Sequence, residues 1–254
     1  MKNYILTSLL SFLFITVSGQ AELKPQFDKA KSYLQAENFK NAEKEFTSVL
    51  EKATDARLKK MAFIYRGFAN NGLEKFTAAI ADFDNAVALD PEDLATYIDR
   101  GQSKIYANDF PAAIKDFEFV LSKDSVNKMG QNALYWLARV AHHEKEFALS
   151  ISYYDRLIQL DQADPELYFN RGAAKDMMMN SQGSIKDYDK AIELKPDYRE
   201  AYANRGVARI NLLTTKGTIL PSKDQTKDAC ADLQRAKQLG DNAVDDMIYI
   251  HCRK

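Results

Sequence analysis

Residues 170–206 read NRGAAKDMMMNSQGSIKDYDKAIELKPDYREAYANRG, a segment that opens and closes on the same tripeptide, with 34 residues from Gly172 to Gly206. Earlier in the chain Tyr65-Arg66-Gly67 and Asp99-Arg100-Gly101 repeat the motif, again 34 residues apart. A fixed period of this size marks stacked supersecondary units, none of which buries its own apolar face alone. The interval from Gly101 to Gly172 is 71 residues, which divides into 37 and 34 if Ala138 stands in for glycine, and Ala30 extends the series backward by another 37. Twelve residues after each marker comes a small residue, namely Ala42, Ala79, Ala113, Ser150 and Ser184. Four residues further on comes an aromatic: Phe46, Phe83, Phe117, Tyr154 and Tyr188. Leu89-Asp90-Pro91 and Leu194-Lys195-Pro196 close their units with a proline that ends one helix and suits the first turn of the next.

The rest of the composition agrees with helices joined by short turns. Of 254 residues, 46% are hydrophobic and 28% charged, as in a globular chain, and only 10 are glycine and 6 proline. The net charge of -1 provides no basic field for phosphate backbones or anionic lipid, so nucleic acid is not an expected partner. The first residues stand apart. Lys2 precedes an apolar run from Ile5 to Val17, followed by Ser18, Gly19 and polar Gln20, the layout of a signal peptide over residues 1–19 with cleavage before Gln20. At 13 residues the run is shorter than the ~20 needed to span a bilayer, so membrane association is expected only through an uncleaved signal anchor. No cysteine lies near the cleavage point to carry a lipid. The expected location is exported, periplasmic or secreted.

Small residues at positions 8 and 20, an aromatic at 24 and proline at 32 of a 34-residue unit resemble the tetratricopeptide-repeat (TPR) pattern, over nearly all of the chain after the leader. The resemblance implies an all-α fold, a right-handed α-solenoid of about six helix-turn-helix repeats plus a C-terminal capping helix. The repeats are placed at about 23–59, 60–93, 94–130, 131–164, 165–198 and 199–242, with the cap at 243–254 and a single TPR domain over 20–254. Small residues at 8 and 20 let the two helices of a unit approach closely, and the aromatic at 24 fills the gap beside them.

One departure from the family is arginine at position 7, where leucine is usual. Arg66, Arg100, Arg171 and Arg205 stand there, and position 23 of the same units holds Asp82, Asp116, Asp187 and Asp232. Unit one has Lys29 with Glu45, and unit four alone is apolar, with Leu137 and Tyr153. Positions that change together read as structural ion pairs joining the two helices of a unit. The alternative is a row of anion-binding arginines. In unit six the helices are separated by about eleven extra residues, Thr214 to Lys223, read as a neutral loop or, through Ile219 and Leu220, as a docking lid.

Cys230 lies early in the second helix of unit six and Cys252 near the end of a last amphipathic segment, with Gly240 as the turn between them. Folded back, the two meet, and an even pair in an exported chain reads as a disulfide that pins the terminal cap; two buried free thiols are the alternative. This closing segment also resembles that of exported bacterial TPR proteins.

No nucleophile elbow, phosphate-binding loop, HExxH or spaced metal cluster is present, so no catalytic residue, cofactor or metal is expected. His142 and His143 are adjacent on a helix and point about 100° apart, a poor arrangement for joint chelation. The family resemblance instead places a groove on the first helices. It is lined by Ile64, Tyr65 and Phe68 in unit two, by Ile98, Gln102 and Tyr106 in unit three, and by Tyr135, Trp136, Arg139 and His142 in unit four. Asn170 and Asn204 are similar to asparagines that grip peptide backbones in some TPR domains, although the lysines and arginines of a full carboxylate clamp are missing. Trp136 reads either as an exposed anchor or as a residue packed on a neighbouring helix. The expected function is a non-catalytic scaffold that holds a protein or peptide in its groove. The alternatives are an architectural component assembling through its ends or convex face and, more remotely, an accessory subunit of an envelope enzyme.

Overall fold

The computed structural model describes residues 21–215, 217 and 221–252, so the leader at 1–19 and the lid residues Ile219 and Leu220 lie outside the described residues. Thirteen α-helices follow one another among the described residues: α1 Lys24–Gln35, α2 Phe39–Lys52, α3 Ala56–Gly72, α4 Phe76–Leu89, α5 Leu94–Tyr106, α6 Phe110–Lys123, α7 Lys128–His143, α8 Phe147–Leu160, α9 Pro165–Met177, α10 Ser181–Leu194, α11 Arg199–Thr215, α12 Lys223–Gln238 and α13 Asp245–Cys252. Short 3₁₀ turns precede α1 and α13, and no strand occurs among the described residues. The helices form two compact units, residues 1–109 and 110–254, with the boundary between α5 and α6. Within each unit every helix packs on its neighbours in sequence, the all-α arrangement of TPR repeats.

The small-residue rule works as close packing requires. A Cβ built on Gly67 would lie 2.8 Å from the Phe83 ring, and one on Gly172 would lie 2.9 Å from Tyr188. Phe46, Phe83, Phe117 and Tyr188 are fully buried at position 24, and truncating such a ring costs about 3–5 kcal/mol. The turns between paired helices repeat a single device. Glu37, Glu74, Asn108, Lys145 and Met179 all take positive φ, between 54° and 64°. The next N–H then reaches back to the last helical turn, as Lys75 N does to the Asn70 carbonyl (2.8 Å) and Asn180 N to that of Lys175 (3.0 Å). These bonds close the helix C-terminus.

The arginines at position 7 do more than join the helices of one repeat. Arg66 binds Asp82 through Nε (3.1 Å) and Nη2 (2.6 Å), while its Nη1 donates to Thr47 Oγ1 (3.1 Å) on α2. Arg171 likewise holds Asp187 (3.0 and 2.6 Å) and reaches back to Asp155 on α8 (2.6 Å). Arg205 holds Asp232 (2.9 and 2.5 Å) and Asp189 on α10 (2.7 Å). Arg100 makes the backward contact to Asp84 (2.7 Å), and its expected partner Asp116 belongs to the second unit. Each aspartate takes a further donor from position 11: Asn70 on Asp82 (2.9 Å), Lys175 on Asp187 (2.7 Å) and Arg209 on Asp232 (2.6 Å). The side chains of Asp82, Asp187 and Asp232 are only 4–5% exposed. Buried carboxylates of this kind are held by bidentate, charge-assisted bonds, and removing one partner leaves an uncompensated charge. In repeat one the Lys29 and Glu45 side chains meet at 2.7 Å.

At the C-terminus Cys230 and Cys252 form a disulfide with Cα atoms 5.6 Å apart and a sequence separation of 22. Closing a loop of that size removes about 3 kcal/mol of chain entropy from the unfolded state. The bridge fixes α13 against α12, where Val244, Met247 and Ile248 cover Leu233 and its apolar neighbours. Ser222 starts α12 with a capping box shared with Gln225, so the helix after the inserted loop is closed at its own N-terminus.

Candidate functional site

In the first unit most of the expected groove residues are occupied with packing. Tyr65 lies 5.6 Å from Phe27 and 5.7 Å from Phe46, and Phe68 meets the Phe83 ring at 5.5 Å. Ile98 is buried, Ile64 and Gln102 are half-buried, and Tyr106 is exposed beside Phe76. A residue not picked out from the sequence, Asp99, stands at position 6 of α5, where burial, with Asp93 adding, pushes its carboxyl up to about 7.

In the second unit the linker between α6 and α7 is gathered around one carboxylate. Asp124 accepts N–H bonds from Asn127 (2.9 Å), Val126 (3.3 Å) and Gly130 (3.3 Å). A Cβ on Gly130 would fall 2.1 Å from the Asp124 carbonyl oxygen, so only glycine fits that approach. Further along α7, Trp136 is 8% exposed, its ring stacked on Phe117 at 6.3 Å and edge-on to Tyr135 at 6.0 Å. It is a packed residue and not an exposed anchor. What it presents outward is Arg139, an exposed guanidinium 4.7 Å above the indole and 5.7 Å from the Tyr135 ring.

Arg139, His142 and Asn170, identified separately in the sequence, come together here. With His143, Tyr154 and Ala173 they line a cleft of about 260 Å³ between α7 and α9. The two histidines diverge: His142 meets Phe147 edge-on at 5.3 Å, while His143 stacks on Phe110 at 4.4 Å. Burial lowers the His142 pKa below its ordinary value, which keeps the imidazole neutral at pH 7. No cluster of metal-binding side chains occurs among the described residues. Asn204, half-buried on α11, lies near the Tyr188 hydroxyl and not in this cleft.

Tyr154 is the cleft residue that sequence reasoning assigned only to the core. The available signal was the change at position 24 from phenylalanine in the first three repeats to tyrosine in the next two, which adds a hydroxyl to a buried ring. Burial raises the Tyr154 pKa well above the usual phenol range, so the hydroxyl keeps its proton and remains a donor. On the α9 side Glu166 and Asp164 lie near Tyr135 and supply negative charge next to the cleft.

A family model described as tetratricopeptide repeat matches residues 27–93 and 98–165. No curated protein matches the chain. Among solved structures, a tetratricopeptide repeat protein from Parabacteroides merdae is similar at a TM-score of 0.67 and 12% identity, over 90% of this chain and 98% of that one. YrrB, described as a TPR protein with an unusual peptide-binding site, is similar at a TM-score of 0.58 and 20% identity, over 80% and 97%. MamA is similar at a TM-score of 0.58 and 21% identity, over 70% and 96%. At these identities the structures share a fold and nothing finer. The family model, by contrast, spans more than half of the sequence, and the chain belongs to the tetratricopeptide-repeat family.

Proposed function

We propose that the protein is a non-catalytic scaffold that holds an extended segment of a partner protein against the first-helix face of its second unit, in an exported, envelope location. TPR proteins bind protein or peptide partners in general, and the fold suits that role. The observation that carries the finer reading is the cleft between α7 and α9, where Arg139, His142 and Asn170 converge beside a platform of Tyr135 and Trp136. A few polar groups set in an aromatic surface are the usual make-up of a binding hot spot. The export reading rests on the leader-like residues 1–19 and agrees with the disulfide.

The test is capture from envelope extract by the wild type, by an Arg139→Glu variant and by a Lys40→Glu/Lys44→Glu variant altered on α2. Loss of a specific partner with the first variant only is the expected result, and loss with the α2 variant only overturns the reading. Export is checked by N-terminal sequencing of the mature protein, which should begin at Gln20. A second reading, assembly through the C-terminal end, is favoured by Tyr249 and Ile250 of α13, which are 66% and 50% exposed. Light scattering of Ile250→Glu beside the wild type separates an assembling from a monomeric protein.

A further inference from the structure

We infer that the cleft between α7 and α9 is a receptor for one side-chain carboxylate, the Glu or Asp of an extended partner segment, with Arg139 as the counter-charge and Tyr154 and Asn170 as hydrogen-bonding groups. The inference rests on the groove reading above and adds the chemistry of what enters it.

Two polar groups of the cleft have no carboxylate partner among the described residues: Arg139, at position 9 and not at the position 7 of the paired arginines, and Tyr154, at position 24. Arg66, Arg171 and Arg205 each grip a buried carboxylate, whereas Arg139 lies against two aromatic rings and the Tyr135 hydroxyl, with no carboxylate in salt-bridge range among the described residues. Tyr154 is 2% exposed, yet its side chain lines the cleft and its hydroxyl makes no hydrogen bond among the described residues. The Tyr154 hydroxyl is not sealed from solvent, so a ligand that brings an acceptor replaces water there.

Repeat five shows what that acceptor is. Its position-24 tyrosine, Tyr188, donates to Asp176 Oδ2 at 2.7 Å, and Asp176 occupies position 12 of α9. The same position in repeat four is His142, neutral through burial. Repeat five therefore carries its own carboxylate on the tyrosine hydroxyl, and repeat four has no carboxylate bonded there, with the Arg139 guanidinium near the hydroxyl and bonded to Tyr135. An incoming carboxylate would do in repeat four what Asp176 does in repeat five.

The surroundings limit the occupant. A cleft of about 260 Å³ accommodates an acidic side chain, whereas a chain terminus would bring its own side chain as well. Glu166, whose charge acts on both Tyr135 and Tyr154, and Asp164 put negative charge at the start of α9, so a bound acid relies on Arg139 and the rest of the segment should be neutral or basic there.

The test uses a displayed library of random nonapeptides selected on the full chain, followed by synthetic peptides acetylated and amidated at their ends. The expected result is a selected Glu or Asp whose change to Gln weakens binding at least tenfold. Arg139→Gln should erase the Glu-over-Gln preference. Tyr154→Phe, which keeps the ring, should weaken only the acidic peptide, about threefold to tenfold. The Arg139 Nε–H resonance should shift on titration with the acidic peptide and not with its Gln counterpart, a readout that needs no variant. Ala173→Leu, which fills the cleft without charge, should abolish binding of every selected peptide. Peptides that are lost in Ala173→Leu but bind equally with Glu or Gln overturn the carboxylate and leave the groove reading standing. Rescue of a Gln peptide by a free C-terminus alone overturns the side-chain assignment. Selected peptides indifferent to Ala173→Leu overturn both readings.

Discussion

Repeats four and five lie side by side in one unit and solve the same packing problem in opposite ways. Repeat five joins its helices with Arg171, Lys175 and Asp187 and reaches back to Asp155, while repeat four places Leu137, Ala141 and Tyr153 at the matching positions. Leu137 is buried, and Tyr153 packs half-buried at the edge of the core, where burial and then Glu118 of α6 raise its pKa. The contrast extends to the tyrosines: Tyr188 is bonded to an internal aspartate, and Tyr154 opens into a cleft. A repeat freed from the ionic device has Arg139 to present outward. Arg171 is committed to its ion pairs, whereas Arg139 is exposed over its aromatic rings.

Four measurements break or sharpen this contrast. Asp187→Ala strands Arg171 and Lys175 over a buried gap and should cost about 3–5 kcal/mol in urea unfolding. A loss under about 1 kcal/mol would show that the ladder is ornamental. Transplanting the apolar solution, by Arg171→Leu, Lys175→Ala and Asp187→Tyr together, should fall within about 2 kcal/mol of the wild type, because replacing a whole buried network by packed apolar groups is often near neutral. A triple variant less stable than Asp187→Ala would mean that the two repeats are not interchangeable. Tyr188→Phe removes the donor to Asp176, whose Oδ1 is already buried without a partner, and should cost about 1–2 kcal/mol. Tyr154→Phe should cost less than about 0.5 kcal/mol, and equal losses would remove the distinction between the hydroxyls. Last, Met179→Asn and Lys145→Asn each place a residue tolerant of positive φ in the turn, as Asn108 already is, for a gain of about 0.5 kcal/mol in thermal melts. Equal gains would confine the difference between the repeats to their helices.

The fold was legible because its rules are local and periodic. Ala30, Gly67 and Gly172 must be small for a ring sixteen residues later to pack, and that constraint writes itself into the sequence at fixed spacing. The ion pairs were half legible. The forward partner at position 23 varies together with position 7, as Leu137 and Tyr153 show, but the backward partner belongs to the preceding repeat. Thr47, Asp84, Asp155 and Asp189 all stand at position 25, a regularity that becomes visible only when adjacent repeats are compared in register. The site was less legible because exposure is not periodic. Trp136 sits at a groove position by number, yet it turns onto Phe117, and Tyr154 sits at a core position by number, yet it lines the cleft. The linker that Asp124 and Gly130 fold between α6 and α7 likewise follows no repeat rule.

The disulfide between Cys230 and Cys252 also alters how the chain responds to force. When the protein is stretched from its ends, the segment between the bridged cysteines, at a sequence separation of 22, is bypassed and bears no load. Reduction releases about 75 Å of additional contour length. In a pulling experiment the oxidised and reduced forms would differ in final extension by that amount, whichever repeat yields first.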